Sequence, residues 1–261
     1  MNNNKTDDTN NSSSTEITTN DMKRLQQFFN KHTIKQVLDI GTGSGDFVKI
    51  LNDTFQGEAS IIGVDPGEQW LKEARNNFPQ NNIRFQCMSG EKLAFDDHTF
   101  DVVSIANALH HLQDTTTTLS EMKRVIKPGG WLIICEISDG ELNEAQKNQQ
   151  LLHHFKSFVD RLHGITHRET YTPDEIDAII AQNRIDIQES FTHLKMKQPK
   201  FEEQILDEKY EQMKSLLEEL QGRPEYEAKK DQLPLFKERL QKYGFQMAPQ
   251  HVVIGQVENE D

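Results

Sequence analysis

The stretch Val37-Leu38-Asp39-Ile40-Gly41-Thr42-Gly43-Ser44-Gly45-Asp46-Phe47 has the residue types and spacing to do chemistry in this 261-residue chain. An apolar run enters a glycine-rich turn, and a helical pattern with Phe47, Val48, Ile50 and Leu51 leaves it. Glycines in such a turn let the backbone approach a bound nucleotide, and the free N–H groups of the following helix point at it. The spacing departs from the Gly-x-Gly-x-x-Gly fingerprint of dinucleotide binding: the glycines are Gly41, Gly43 and Gly45, and Asp46 holds the third fingerprint position. A carboxylate there repels a pyrophosphate, which disfavours a nicotinamide dehydrogenase. Asp39 argues in the same direction, because a carboxylate is costly beside a phosphate and helpful beside an ammonium or sulfonium. Asp65 follows the next apolar run, Ile61-Ile62-Gly63-Val64, 24 residues after Gly41. A carboxylate in that place can accept both hydroxyls of an adenosine ribose.

Histidines form the second group with chemical capacity. His110 and His111 follow the fourth apolar run. A base, a substrate contact or a loop held by histidine hydrogen bonds all fit them, so no catalytic base is assigned. His153, His154, His163 and His167, together with Asp160, raise the question of a metal. On a helical wheel centred on Phe155, His153 and Asp160 fall nearly opposite the apolar stripe, while His154 and His163 lie on different flanks. The expectation is therefore solvated surface or pocket lining, and no metal site. His167, after Gly164, is placed to reach a site as part of a lid. Cys87 and Cys135 cannot make a disulfide framework; their apolar neighbours predict buried thiols and a reducing, cytoplasmic setting. Trp70 and Trp131 are expected to cover the sheet as core.

The elements that must position these residues read clearly from 36 to 137. Short apolar runs at 37–40, 61–64, 83–85, 102–105 and 131–135 alternate with amphipathic stretches, which predicts a parallel sheet covered on both faces. Lys127-Pro128-Gly129-Gly130 reads as a structural turn before the fifth strand. Beyond 137 an apolar stripe from Leu151 to Leu162 predicts a helix over 143–163, and Thr172-Pro173-Asp174-Glu175 an N-cap with proline at the first helical position. A sixth strand follows from Ile185. A charged helical arm then runs from Phe201 to Tyr243, broken at Gly222 and Pro224, and Val252-Val253-Ile254 supplies the last strand.

The expected fold is α/β: a Rossmann-like, doubly wound, seven-stranded and mostly parallel sheet. It comprises 21–197 plus 248–258, with a helical lid over about 141–183 and a helical insertion at 198–247. That arm is expected to build a lid, a substrate chamber or a homodimer contact. Residues 1–20 contain almost nothing to bury and are expected to be a disordered tail. The chain carries 29 Lys+Arg against 42 Asp+Glu, a net charge of -13, which disfavours nucleic-acid partners. No apolar run approaches the roughly 20 residues of a membrane span, and the first residues lack the order of a signal peptide.

Four motifs, in order, resemble the class I S-adenosylmethionine-dependent methyltransferases of the small-molecule type: DIGTGSG at 39–45, GVDP at 63–66, FDVV at 100–103 with ANALHHL at 106–112, and RVIKPGGWLII at 124–134. The resemblance implies S-adenosyl-L-methionine as cofactor and a small-molecule acceptor methylated at O, N or C. It implies that Asp39, Gly41 and Gly43 hold the methionine part, that Thr42 also belongs to the cofactor site, that Asp65 takes the ribose hydroxyls, and that Pro66 lies near the adenine. Ser89, followed by Gly90, stands where the family usually has an acid touching the adenine amino group. Asn107 stands where the family lines the sulfur and the substrate entrance. The asparagine-proline-proline-aromatic motif of amino methylation is missing, with Asn107-Ala108-Leu109-His110 in its place. A cofactor-binding protein without methyl transfer is the alternative that keeps this fold.

Overall fold

A computed structural model of the chain describes residues 22–258; the segment 1–20, expected to be disordered, lies outside them. Seven strands make one sheet in the order β3-β2-β1-β4-β5-β7-β6. β1 (Gln36–Ile40), β2 (Ser60–Asp65), β3 (Ile83–Cys87), β4 (Phe100–Ala106) and β5 (Ile126–Ile137) pair in parallel. β7 (Gln250–Val257) runs antiparallel between β5 and β6 (Ile185–His193). The near-continuous apolar strands are buried on both faces. One core lies under α1 (residues 22–29), α2 (Asp46–Thr54) and α3 (Glu68–Asn77), around Leu25, Phe29, Leu51 and Leu71. The other lies under α4 (Thr115–Val125) and α6 (Pro173–Gln182), around Leu119, Met122, Ile176 and Ile180.

Helix starts follow the sequence signals. Thr172 caps α6 by accepting from the Glu175 N–H while the Glu175 carboxylate accepts from the Thr172 N–H, with Pro173 in the first turn. Asn143 and Gln146 make the same reciprocal cap on α5 (Glu144–Leu162). The turn expected at 127–130 is instead absorbed into β5, which begins at Ile126 and shifts register against β4 between Phe100 and Val102. Gly129 takes φ +71°, and a Cβ on Gly130 would lie 2.7 Å from Ile126 and 2.8 Å from the Lys127 carbonyl, so glycines let the strand kink there.

Two core expectations are corrected. Trp131 is buried, but Trp70 is 50% exposed, because α3 turns that face outward and the indole folds over Gly67. Cys135 is buried in β5, whereas Cys87 is exposed at the end of β3, where the edge strand has no neighbour to cover it.

The charged arm forms α7 (Glu203–Glu218), α8 (Pro224–Lys229) and α9 (Gln232–Tyr243). It packs on the apolar stripe of α5 and not on the sheet, making a third core from Leu152, Phe155, Val159, Met213, Leu217, Phe236, Leu240 and Phe245. Polar pins join the two. Asn148 donates to the Gly244 carbonyl at 2.7 Å, and Arg239 donates to Asn148 at 2.9 Å and to the Glu144 carboxylate at 2.9 Å. With its apolar stripe taken by the arm, α5 presents its other face toward the C-terminal ends of the strands.

Candidate functional site

Strand order reverses between β1 and β4, and the crevice beyond their carboxyl ends is where open α/β sheets take ligands. A cleft of about 210 Å³ lies there, lined by Asp39, Gly41, Thr42, Gly43, Asp46 and Asn107, among others. Gly41 adopts φ +65°, and a Cβ on it would stand 2.5 Å from Cβ of Ala108, so only glycine lets the β1 turn lie against the β4 loop. Asn107 itself has φ +50°, uncommon for a side-chain-bearing residue. Its N–H donates to the Cys135 carbonyl at 2.8 Å and its Oδ1 accepts from Gln250 Nε2 at 2.6 Å, which hold it in that conformation.

Asp39 is buried, with Oδ1 accepting from Ser104 Oγ at 2.7 Å. Loss of water pushes its acid up to about 6, against the opposing Ser104 hydrogen bond. Asp65 bridges two turns: Oδ2 accepts from the Gly43 N–H at 3.0 Å and Oδ1 from the Gly67 N–H at 2.7 Å. It thus meets the cleft through Gly43.

Of the other sequence-derived positions, Thr42 lines that cleft, and Pro66, Ser89 and Gly90 do not. Thr42 contributes to the wall, but its Oγ1 is buried and a Cβ on Gly63 would lie 2.7 Å from it, so the hydroxyl turns toward β2. Pro66 lies past β2, its carbonyl 3.5 Å from Cys87 Sγ. Ser89 is exposed and accepts from the Glu91 N–H at 3.3 Å. Gly90 is buried, and a Cβ there would be 2.7 Å from Ile40, which makes it a packing glycine. Asp39, Gly41, Gly43 and Asn107 are therefore the convergent set, with Asp65 at its edge.

A second cavity, about 270 Å³, shares Asn107, Lys195 and Gln250 with the cleft. His110, His111, His153 and His167 line it with Lys156. Burial and neighbouring histidines hold His153 down to about 3 and His111 down to about 4, and burial lowers His167 too. These imidazoles are neutral at pH 7. Sequence reasoning missed Lys195, Gln250 and Glu136. Glu136 alone had a visible signal, an acid within the apolar run of β5; it is buried and accepts from His110 Nδ1 at 2.8 Å. The expectation of pocket lining holds for His153 and His167. His154 turns away to Thr170 Oγ1 at 2.9 Å, and His163 faces Glu219 of the arm at 3.6 Å.

The cofactor implied by the sequence carries an ammonium, a sulfonium and an adenosine. The cleft fits it: a buried acid without a cation partner, a glycine cradle with no room for a Cβ at Gly41, and no lysine or arginine other than Lys195 in the wall.

Residues 38–134 match a family model described as a methyltransferase domain. The ubiquinone/menaquinone biosynthesis C-methyltransferase UbiE of Desulfotalea psychrophila is 36% identical over 95 residues, covering 36% of this chain and 38% of that protein. Its counterpart from Marinomonas sp. (strain MWYL1) is 33% identical over 129 residues, 45% of this chain and 51% of the relative. The chain thus spans about half or less of the length of these relatives. The crystal structure of BH2331 from Bacillus halodurans C-125 has the same fold, with a TM-score of 0.63 over 92% of this chain and 99% of that one at 19% identity.

Proposed function

We propose that the chain, whose residues 38–134 match a methyltransferase-domain model, is a class I S-adenosylmethionine-dependent methyltransferase that moves a methyl group to a small-molecule acceptor at O, N or C. The observation that carries this reading is the pair of joined cavities: an acidic glycine-lined cleft, and a histidine-lined chamber that meets it at Asn107, Lys195 and Gln250. Two reactants held in adjoining cavities are already close to the alignment that an in-line displacement needs, and such positioning contributes several kcal/mol.

When bound, S-adenosylmethionine supplies a methyl group activated by its sulfonium. Asp39 and the glycine turn lying against it would hold the methionine end and Asp65 the ribose, and the resemblance would put the adenine toward Pro66 and Ser89, beyond the cleft wall. The strained Asn107, fixed by Gln250, sits at the opening between the cavities. His111 and His153 line the chamber where the acceptor would sit. α5, held by the arm, acts as a lid that keeps water from the chamber.

The acceptor is not carried over from the UbiE proteins, which are named for a C-methylation in ubiquinone/menaquinone biosynthesis. The matched domain ends at residue 134, whereas His153, Lys156, His167, Lys195 and Gln250 of the chamber wall lie beyond it. The absence of a membrane-length apolar helix among the described residues and the net charge of -13 agree with a cytoplasmic enzyme of small metabolites. Calorimetric titration with S-adenosylmethionine, S-adenosylhomocysteine and NAD tests the cleft. Tighter binding of the two sulfur ligands supports the reading, and tighter binding of NAD overturns it.

A further inference from the structure

Three histidines from three separate segments converge in the chamber. His110 comes from the turn after β4, His153 from α5, and His167 from the loop before α6. Each offers a ring nitrogen, and the three atoms lie within 4.8 Å of one another. Their ring centroids form a nearly equilateral triangle with sides of 5.0, 5.3 and 4.9 Å. Three imidazoles bound at roughly 2.0–2.1 Å to one tetrahedral ion have centroids about 5 Å apart, so these rings need little movement to share one.

The nitrogens are oriented by a second layer. His110 Nδ1 donates to Glu136 Oε1 at 2.8 Å, and Glu136 is itself fixed by the N–H groups of Leu109 and Ile137 at 2.8 and 2.9 Å. His167 Nδ1 donates to Asp160 Oδ2 at 2.5 Å. The Asp160 carboxylate, held low by Lys156 and His167, accepts at Nδ1 and turns His167 Nε2 toward the cavity, and His110 meets Glu136 through the same ring nitrogen. The His167 ring is 2% exposed and its Nε2 has no partner; His153 Nε2 is likewise buried without one. A buried polar atom left unpaired costs about 1–3 kcal/mol, and two of them aimed into one cavity call for a shared ligand. A carboxylate on one ring nitrogen with the other nitrogen free is how proteins orient metal-ligating histidines.

We propose that His110, His153 and His167 bind a divalent transition-metal ion, for which zinc is the best match, through three imidazole nitrogens with one coordination position open to the chamber. Imidazole donors suit zinc and its first-row neighbours, and three protein ligands with a free fourth position is the arrangement of reactive rather than structural sites. Lys156 also lines the chamber, but its ammonium is paired with Asp160 at 2.5 Å. Glu136 and Asp160 give the ion two carboxylates in its second layer. The open position faces the cavity that includes Asn107, so a hydroxyl or carbonyl oxygen of the acceptor is the natural fourth ligand. That last role rests on the methyl-transfer reading; the ion site itself does not.

The test uses the full chain without an affinity tag, stripped with a chelator and titrated with Zn²⁺ against a competing chromophoric chelator. One equivalent of zinc is expected. The double variant His153→Ala/His167→Ala is expected to lose it, and Glu136→Gln to weaken it about 10–100-fold. Absence of stoichiometric binding, or unchanged binding in the double variant, overturns the site. A second readout needs no substitution: Co²⁺ added to the wild-type chain should give the intense visible ligand-field bands of a four- or five-coordinate nitrogen site. A weak octahedral spectrum, or a thiolate charge-transfer band from Cys87, contradicts the assignment. Titration of the same samples with S-adenosylmethionine keeps the two ideas apart, because metal bound without cofactor binding refutes the methyltransferase reading alone.

Discussion

Asp39 is buried with its acid raised to about 6, about 2 units above an ordinary carboxylate. The folded chain therefore holds that proton more tightly than the unfolded chain between roughly pH 4 and 6. Stability falls as pH rises through this window, and above it the ionised group costs roughly 3 kcal/mol. Asp39→Asn removes the charge and keeps the shape. In urea unfolding of the free protein the variant should match the wild type near pH 4 and be more stable by about 2–3 kcal/mol at pH 8, while its affinity for S-adenosylmethionine drops at least tenfold. An equally stable or less stable variant at pH 8 would show that burial of Asp39 is not opposed as described. Gly41→Ala should lose stability by more than 1 kcal/mol, because it adds a Cβ 2.5 Å from Ala108 at a positive φ; thermal melting checks this. Asp39 and the glycines were legible in the sequence because their arrangement is local, set by a single turn. Ser89 and Gly90 came from resemblance, and Gly90 proves to be packed against Ile40, a long-range contact that no local pattern encodes.

Helix α5 couples two sides of the molecule. One side is glued by the arm through Phe155, Phe236 and Leu240; the other carries His153, Lys156 and Asp160 to the chamber. Phe236 is 2% exposed, and Phe236→Ala should cost about 3–5 kcal/mol in equilibrium unfolding. Because the third core supports α5 and not the glycine turn, a partial loosening should raise the acceptor KM more than the dissociation constant of S-adenosylmethionine; equal changes in both would contradict this division. Helix limits were readable where a cap is written in sequence, as at Thr172-Pro173, whereas the reciprocal cap at Asn143 and Gln146 was not read and α5 was found by its apolar stripe. The partner of the arm was not. Its apolar face announces that something must be buried, but spacing along one helix cannot say which surface covers it. The same limit hid the histidine triangle: the wheel put His153 on the polar face of α5, and only the folding of the β4 turn and the 164–170 loop toward it brings His110 and His167 alongside.

At the scale of the whole chain, polarity is partitioned. The sheet from 36 to 137 closes with β6 and β7 and is apolar on both faces, while α7 to α9 carry charge outward and a small core inward. The excess of 42 acidic over 29 basic residues gains local meaning at the crevice, where Asp39 and Asp65 favour a cationic adenosine ligand over a diphosphate. In the proposed reading the joined cavities would hold an acceptor beside that ligand. Transfer of a labelled methyl group from S-adenosylmethionine into small-molecule extracts, by the wild-type chain and by Asp65→Ala, tests this most directly. Label should enter a low-molecular-weight product with the wild type and be lost with the variant; no labelled product, or equal labelling by both, would contradict the account.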